Sequence, residues 1–199
     1  MKLLILYPAE FKCYSKFARK VGNIVTREPV TQVLCMNDHH GYVRQFFSDA
    51  SPDTQVVECV DWRIELPTHA IIFTDGEEFM DDYLHLKKAG ITLRTIKIAI
   101  TRVINIKKAT SFDHRISTDK YEYIGRGSYW GNPYSIPEAG NREEVIRKFK
   151  YDFDFEKFPH IDKSEVYKLA GKRLGCFCKP EACHGDVIAD YLNSCDDGK

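Results

Sequence analysis

The chain has 199 residues, which is enough for one large domain or two small ones. Its 29 basic and 29 acidic residues cancel, and because a neutral chain lacks the electrostatic attraction that nucleic acids exploit, specific nucleic-acid binding is not expected. A hydrophobic content of 43% and an aromatic content of 13% indicate a folded globular protein and exclude a disordered one.

The chain opens on a short apolar run at residues 2–6, which Pro8 interrupts. This run is too short for the core of a signal peptide and for a membrane span. We therefore expect a cytoplasmic protein without a membrane partner. Because thiols stay reduced in the cytoplasm, the seven cysteines are expected to be free or metal-bound.

Strand-like and helix-like segments alternate through the first hundred residues. Apolar runs predict strands at 3–6, 30–35, 55–60, 69–74 and 91–98, and helical spacing predicts helices at 11–21, 42–48 and 79–89. This alternation is typical of a parallel sheet covered by helices on both faces. The sequence therefore predicts an α/β, Rossmann-like domain over residues 1–99.

Ligands of such sheets bind beyond the carboxyl ends of the strands. Asp75 follows a predicted strand and is a candidate ligand-binding residue, although Asp-Gly is equally an ordinary turn and helix cap. The opening strand, and the strand at 69–74 followed by Asp75-Gly76, a helix, Gly90 and another strand, resemble the SLOG superfamily of Rossmann-like nucleotide-binding domains. The resemblance implies a nucleotide-like small molecule as the partner, although residues 37–41 replace the glycine-rich phosphate loop of nucleotide-binding members.

A loop of glycines, aromatics and one arginine follows a strand predicted at 101–106. Its candidate ligand-binding residues are Gly125, Arg126, Tyr129, Trp130, Gly131 and Asn132. Glycines let a backbone approach a ligand closely, aromatic rings offer stacking faces, and a guanidinium group binds anions. The alternative is that Tyr129 and Trp130 fill a hydrophobic core.

The rest of the chain predicts a second, smaller α/β domain over residues 100–199. Helical spacing predicts a helix that Asn141 caps and that ends near 153, and another helix at 162–170. The alternating charges of residues 142–150 indicate a solvated helix face. With a strand at 172–177 and a helix at 184–193, this half is expected to form a small mixed sheet with three helices.

Residues 175–186 concentrate three cysteines, a histidine and a carboxylate. Side chains alternate along a strand, so Cys176 and Cys178 should share a face, while Cys183 lies near a helix N-terminus that favours a thiolate. Three interpretations stay open. Cys176, Cys178, Cys183 and His184 form a zinc-compatible ligand set; or Cys178, Cys183, His184 and Asp186 are catalytic, with a thiolate nucleophile; or Cys176 and Cys178 are small buried hydrophobes at the end of a strand.

Several of these segments together resemble the family called domain of unknown function 4326, which is common in bacteriophages. The segments are 123–126, 130–133, 142–146, 175–178, Pro180 and Cys183-His184-Gly185-Asp186. The resemblance covers about residues 101–193. It implies that the glycine–aromatic loop and the cysteine–histidine turn belong to one site, and it implies the host-cell cytoplasm as the location if a phage encodes the chain.

We therefore expect a phage-type protein that binds and processes a nucleotide, nucleoside or modified base. Arg126 would hold an anion, Tyr129 or Trp130 would stack on a ring, and the corner of cysteines, His184 and Asp186 would act as a thiol- or metal-dependent centre. The alternative is a non-enzymatic module that contacts a host protein and holds a structural zinc ion. Zinc is the one cofactor that the sequence indicates, and both functions stay open at this point.

Overall fold

The computed structural model describes residues 1–26, 28–109, 111–112 and 116–198. The chain divides into two compact units: Met1–Ile98 joined by the residues from Ser194 onward, and Ala99–Asn193. Among the described residues, no helix combines the length and the apolar character that crossing a membrane requires.

The first unit is a Rossmann-like α/β fold, which confirms the predicted fold class. Its five strands are all parallel and lie in the order β3-β2-β1-β4-β5. The strands are β1 (Lys2–Leu6), β2 (Gln32–Cys35), β3 (Gln55–Glu58), β4 (His69–Thr74) and β5 (Thr92–Lys97), and the helices are α1 (Tyr14–Val25), α2 (Tyr42–Ala50), α3 (Trp62–Glu65) and α4 (Met80–Lys88). The central strand β1 is buried on both faces from Leu3 to Leu6, because helices cover both sides of a parallel sheet.

The last described residues pack in the first unit, although they follow the second unit in sequence. The Lys16 ammonium lies 2.8 Å from the Asp197 carboxylate, and the Arg19 guanidinium lies 2.7 Å from Asp196. Lys16 is buried, and a buried ammonium group needs an opposite charge beside it. The structure therefore divides the chain differently from the predicted second domain, which extended to residue 199; independent folding of the two parts stays a prediction.

The second unit has a three-stranded sheet in the order β6-β8-β7. Its strands are β6 (Arg102–Asn105), β7 (Tyr121–Tyr123) and β8 (Arg173–Cys176), and its helices are α5 (Ile136–Ala139), α6 (Arg142–Asp154), a 3-10 helix (Lys163–Leu169) and α7 (His184–Ser194). Both pairings are parallel, so the sheet is parallel rather than the mixed sheet that we expected. The segment predicted as a helix at 162–170 forms the 3-10 helix.

The core of the second unit lies between this sheet and its helices. Phe149 and Phe153 from α6, Ile188 from α7 and Val166 from the 3-10 helix pack in one buried cluster with Leu174 of β8. The parallel pairing directs the carboxyl ends of all three strands toward one edge of the sheet. The segments that follow β7 and β8, which carry most of the candidate residues, therefore begin at the same edge.

Candidate functional site

Three cysteines meet where β8 ends and α7 begins. Cys176 is the last residue of β8, Cys178 follows two residues later, and Cys183 directly precedes α7. The three Sγ atoms all lie within 4.8 Å of one another, and those of Cys176 and Cys178 are 3.5 Å apart. The structure thus brings together the three cysteines that the sequence analysis singled out.

The start of α7 holds Cys183 in place. The Cys183 N–H donates to Asp186 Oδ2 at 2.9 Å, and the Gly185 N–H donates to Cys183 Sγ at 3.4 Å. These two bonds form a reciprocal cap, which satisfies backbone donors that a helix N-terminus leaves unpaired. Asp186 also pairs with Lys179 Nζ at 2.6 Å. The structure gives Asp186, a predicted catalytic residue, a capping position at the start of the helix.

His184 is buried beside the thiols with its tautomer set by the backbone. Its side chain is 5% exposed, and Nε2 lies 2.9 Å from the Ile124 carbonyl oxygen. Because a carbonyl accepts hydrogen bonds only, Nε2 carries the proton and Nδ1 presents a lone pair, 3.5 Å from Cys183 Sγ. Burial lowers the pKa of His184, which keeps the ring neutral.

Hydrogen bonds among the three thiols lower the pKa of Cys176 and raise the pKa of Cys183. The pKa of Cys176 is lowered to about 5, first because the Cys183 thiol donates to its sulfur and also because Cys178 donates to it. The pKa of Cys183 is raised, because its proton is held by Cys176 and because its sulfur is buried.

The cysteines form part of the wall of a cavity of about 250 Å³. The other described residues that line it come from the glycine–aromatic loop, from α5 and α6, and from the turn before α7. The lining residues are Gly125, Arg126, Asn132, Tyr134, Ile136, Arg142, Val145, Ile146, Cys176, Phe177, Cys178, Ala182, Cys183 and His184. The structure therefore places Gly125, Arg126 and Asn132 in one cavity with the three cysteines and His184.

Other predicted site residues lie elsewhere. Trp130 is 4% exposed and belongs to the core cluster of the second unit, as the alternative interpretation of the aromatics held. The Tyr129 hydroxyl accepts the Asp162 N–H at 2.8 Å, and neither ring lines the cavity. Gly131 packs under the same loop, where an added Cβ would lie 2.6 Å from the Gly125 carbonyl oxygen. Asp75 lies in the first unit.

Seven of the lining residues were not predicted as site residues from the sequence, and among them Tyr134 and Arg142 carry polar side chains. Tyr134 is the last residue of the glycine–aromatic loop. Its position eight residues after Arg126 was the one sequence feature that could have linked it to the site. Arg142 was assigned to a solvated helix face, because it opens a run of alternating charges. The structure instead bonds Arg142 Nη1 to the Ala182 carbonyl oxygen at 3.1 Å, beside the cysteines.

At the carboxyl edge of the first sheet, hydrogen bonds from neighbouring residues occupy the side chain of Asp38. Its carboxylate accepts the Tyr7 hydroxyl at 2.6 Å and the N–H groups of Val43 and Arg44 at 3.1 Å. In nucleotide-binding folds, the N-terminus of a helix often holds a phosphate. Here the side chain of Asp38 fills that position at α2.

Asp75, at the end of β4, accepts the Glu77 N–H at 3.2 Å, which is the turn geometry that we considered as its alternative role.

Comparison with known proteins agrees with this two-part organisation. The model of the minimal SLOG domain matches residues 1–104, and the model of the domain of unknown function DUF4326 matches residues 104–194. An uncharacterized 12.4 kDa protein in the nrdA-td intergenic region of Enterobacteria phage T4 is 43% identical over 95 residues, which are 47% of this chain and 79% of that protein. No solved structure matches the chain significantly.

The matches confirm both resemblances that the sequence analysis stated, and the phage relative supports the phage setting. A SLOG-like domain suggests nucleotide-related binding at a coarse level. The order of the two matched regions follows the order of the two units, and the border at residue 104 falls within β6. The chain belongs to the minimal SLOG family and carries a DUF4326 domain as its second half.

Proposed function

We propose that the second unit binds a small anionic molecule of the nucleotide class, of about the size of a nucleoside monophosphate. One observation carries the proposal: two arginines line the cavity, and no carboxylate is among the described residues that line it. A wall with this charge favours an anion. Arginine is the side chain that best matches the geometry of phosphate oxygens.

Backbone carbonyls orient both guanidinium groups. Arg126, in the loop after β7, donates from Nη2 to the Tyr134 carbonyl oxygen at 3.2 Å. Arg142, the first residue of α6, donates to the Ala182 carbonyl oxygen at 3.1 Å. A guanidinium has five N–H donors, so each arginine has donors beyond the one that its carbonyl takes. Their positions on two separate elements would let them hold one phosphate from two sides.

The size and remaining lining of the cavity support a mononucleotide rather than a larger ligand. Its volume of about 250 Å³ is close to the lower end of the range of roughly 300–1,000 Å³ for ligand pockets. Tyr134 and Phe177 offer aromatic surface, and Ile136, Val145 and Ile146 are apolar, which suits a nucleobase. The coarse suggestion of nucleotide-related binding from the SLOG-like domain points to the same ligand class.

The processing that we expected from the sequence would take place at the thiol cluster, because Cys176, Cys178 and Cys183 line the same cavity. The alternative function, a host-contacting module with a structural metal, would use the same three sulfurs. Such a metal site would not require Arg126 at the cavity, even if Arg142 balanced its charge. We therefore favour ligand binding over the purely structural role.

The test is isothermal titration calorimetry of the full chain with the four ribonucleoside 5′-monophosphates and the four matching nucleosides. At least one monophosphate should bind, and its nucleoside should bind more weakly. Arg142→Ala should weaken binding by about tenfold or more, because a hydrogen bond to a charged group contributes roughly 1.5–3 kcal/mol.

Arg147→Ala is the matched control. Arg147 lies on the same helix, pairs with Glu144 and does not line the cavity. Its removal should leave the affinity unchanged. If none of the eight compounds binds, or if Arg142→Ala and Arg147→Ala weaken binding equally, the proposed function is wrong.

A further inference from the structure

We propose that Cys176, Cys178 and Cys183 bind one zinc ion whose fourth coordination position opens onto the cavity. The site stands on its own geometry, whether or not the cavity binds a nucleotide. It therefore goes beyond the proposed function, and it assigns to the thiol cluster a metal and a type of coordination.

The positions of the sulfurs suit a tetrahedral ion. With Zn–S bonds of about 2.3 Å, the sulfurs of a tetrahedral site lie roughly 3.8 Å apart. The three sulfurs lie within 4.8 Å of one another, and two of them are 3.5 Å apart. Side-chain rotations that shorten the longer S–S distances by up to about 1 Å would therefore be enough to close the three sulfurs around an ion.

Neighbouring donors stabilise the charge that thiolate ligands would carry. The Gly185 N–H donates to Cys183 Sγ at 3.4 Å, and the guanidinium of Arg142 lines the same cavity as the three sulfurs. Cys183 also lies at the N-terminus of α7, where the helix dipole favours negative charge. Three thiolates and Zn²⁺ have a net charge of minus one, which the guanidinium of Arg142 would balance.

Two cysteines of the first unit, the buried Cys35 and the half-buried Cys59, offer a comparison. Cys35 Sγ lies 3.8 Å from the Val57 carbonyl oxygen, and Cys59 Sγ lies 3.6 Å from the Cys35 carbonyl oxygen. Those thiols donate to the backbone of a neighbouring strand. The sulfurs of the cluster instead contact one another, which is the arrangement that a shared ion requires.

The fourth position is the reason to expect an open site. All three cysteines line the cavity, and among the described residues the ligand atoms that lie within 4.8 Å of one another are three sulfurs, without an imidazole nitrogen. His184 follows Cys183 directly, and its Nδ1 lies beside that one sulfur. Three protein ligands with one exchangeable position are typical of catalytic rather than structural zinc. Such an ion would act as a Lewis acid on a group bound in the cavity.

The first experiment measures metal on the full chain. Protein purified without chelators should contain one zinc per chain by elemental analysis. The metal-free, reduced protein should take up one Co²⁺, with a thiolate-to-cobalt charge-transfer band in the near ultraviolet and intense visible bands of tetrahedral cobalt. If the folded wild-type chain takes up neither metal, the proposal is overturned.

Cysteine variants then locate the ion. Cys178→Ser and Cys183→Ser should each weaken cobalt binding by at least tenfold and reduce the charge-transfer band, whereas the matched control Cys59→Ser should leave both unchanged. Circular dichroism checks that each variant is folded. Cys178 is the more exposed of the two positions and keeps the test valid if Cys183→Ser fails to fold. Metal uptake that Cys178→Ser leaves unchanged contradicts the site.

The open position has its own readout. Azide added to the cobalt-loaded protein should shift the visible bands, because it can enter the fourth position. If azide leaves the visible bands unchanged and the bands lose intensity in His184→Ala, the site is closed by a fourth protein ligand. That result would overturn this part of the inference. Metal binding is measured without nucleotide, so its failure is distinguishable from failure of the proposed function.

Discussion

Single residues shape the loop that follows β7. Gly131 N–H donates to the Ser128 carbonyl oxygen at 3.0 Å, and Ser128 N–H donates to the Gly125 carbonyl oxygen at 3.1 Å. This chain of turns brings Gly131 against the backbone of Gly125, so that a Cβ at 131 would lie 2.6 Å from the carbonyl oxygen of 125. Only a residue without a side chain fits there. Gly131, which was predicted as a ligand-binding residue, is therefore needed for the backbone path of the loop.

We predict that Gly131→Ala destabilises the second unit by about 1–3 kcal/mol, because the backbone must move to admit the methyl group. The chain has two tryptophans, Trp62 and Trp130. In a Trp62→Phe background, the fluorescence of Trp130 during urea unfolding reports on the second unit. Gly22→Ala is the control, since its Cβ would meet Phe46 at an ordinary 3.8 Å in the first unit. A Trp130 transition that Gly131→Ala leaves unchanged would contradict the prediction.

The cysteines should differ in reactivity according to their access to solvent. Cys178 is half-buried at the cavity wall, whereas Cys35 is 1% exposed and burial raises its pKa to about 12. We predict that Cys178 reacts with iodoacetamide faster than Cys35 at neutral pH in metal-free protein, because alkylation needs an accessible thiolate. Peptide mass spectrometry over a time course gives both rates. Equal rates would show that the cavity wall is closed to reagents of this size.

Two helices begin beside the cavity, and their caps hold residues that line it. Asn141 accepts the Glu144 N–H at 2.8 Å at the start of α6, which places Arg142 in the first turn. At α7, Asp186 accepts the Cys183 N–H. Because a cap fixes the direction in which a helix begins, these side chains position the lining residues next to them.

We predict that Asp186→Ala lowers the free energy of unfolding of the second unit by about 1 kcal/mol, through loss of the cap on Cys183. Asp186→Asn should cost less than half as much, because its side-chain oxygen can still accept that N–H. The lost pairing with Lys179 contributes little, since both groups are partly exposed. Trp130 fluorescence in the Trp62→Phe background again measures the effect. If the asparagine variant is as unstable as the alanine variant, Asp186 stabilises the second unit through its charge rather than through the cap.

At the scale of the whole molecule, each unit closes through residues that are distant in sequence. In the second unit, Thr101 and Asn193 exchange two hydrogen bonds: the Thr101 N–H donates to Asn193 Oδ1 at 2.8 Å, and Asn193 Nδ2 donates to the Thr101 carbonyl oxygen at 3.0 Å. Both residues are buried. In the first unit, Lys16 and Asp197 make the corresponding long-range pair.

We predict that a chain truncated to residues 99–193 folds and unfolds cooperatively, with Trp130 as its single tryptophan. Asn193→Ala in that chain should cost about 1–3 kcal/mol, because it leaves backbone groups of the buried Thr101 unpaired. Urea unfolding followed by fluorescence and by circular dichroism measures both. A truncated chain that unfolds without a cooperative transition would show that the second unit depends on the first.

Local patterns were enough to predict the class of the fold and the position of the thiols. The alternation of apolar strands with amphipathic helices follows from neighbours in sequence, and it predicted the parallel sheet of the first unit. The shared face of Cys176 and Cys178 is likewise a local property, because side chains alternate along an extended chain. Asn141 was recognisable as a cap for the same reason.

Packing between distant residues decided the rest. Trp130 is equally suited to stacking on a ligand and to filling a core, and only the cluster around Phe149 shows that it does the latter. The sequence pattern placed Arg142 on a solvated helix face, whereas in the structure its guanidinium donates to the Ala182 carbonyl oxygen in the turn before α7. The cavity itself arises where segments 40 or more residues apart meet, such as those of Arg126 and Cys176. The amino-acid order sets which chemical groups are available, whereas tertiary packing sets which of them face one another, because burial and contact depend on residues that no local pattern connects.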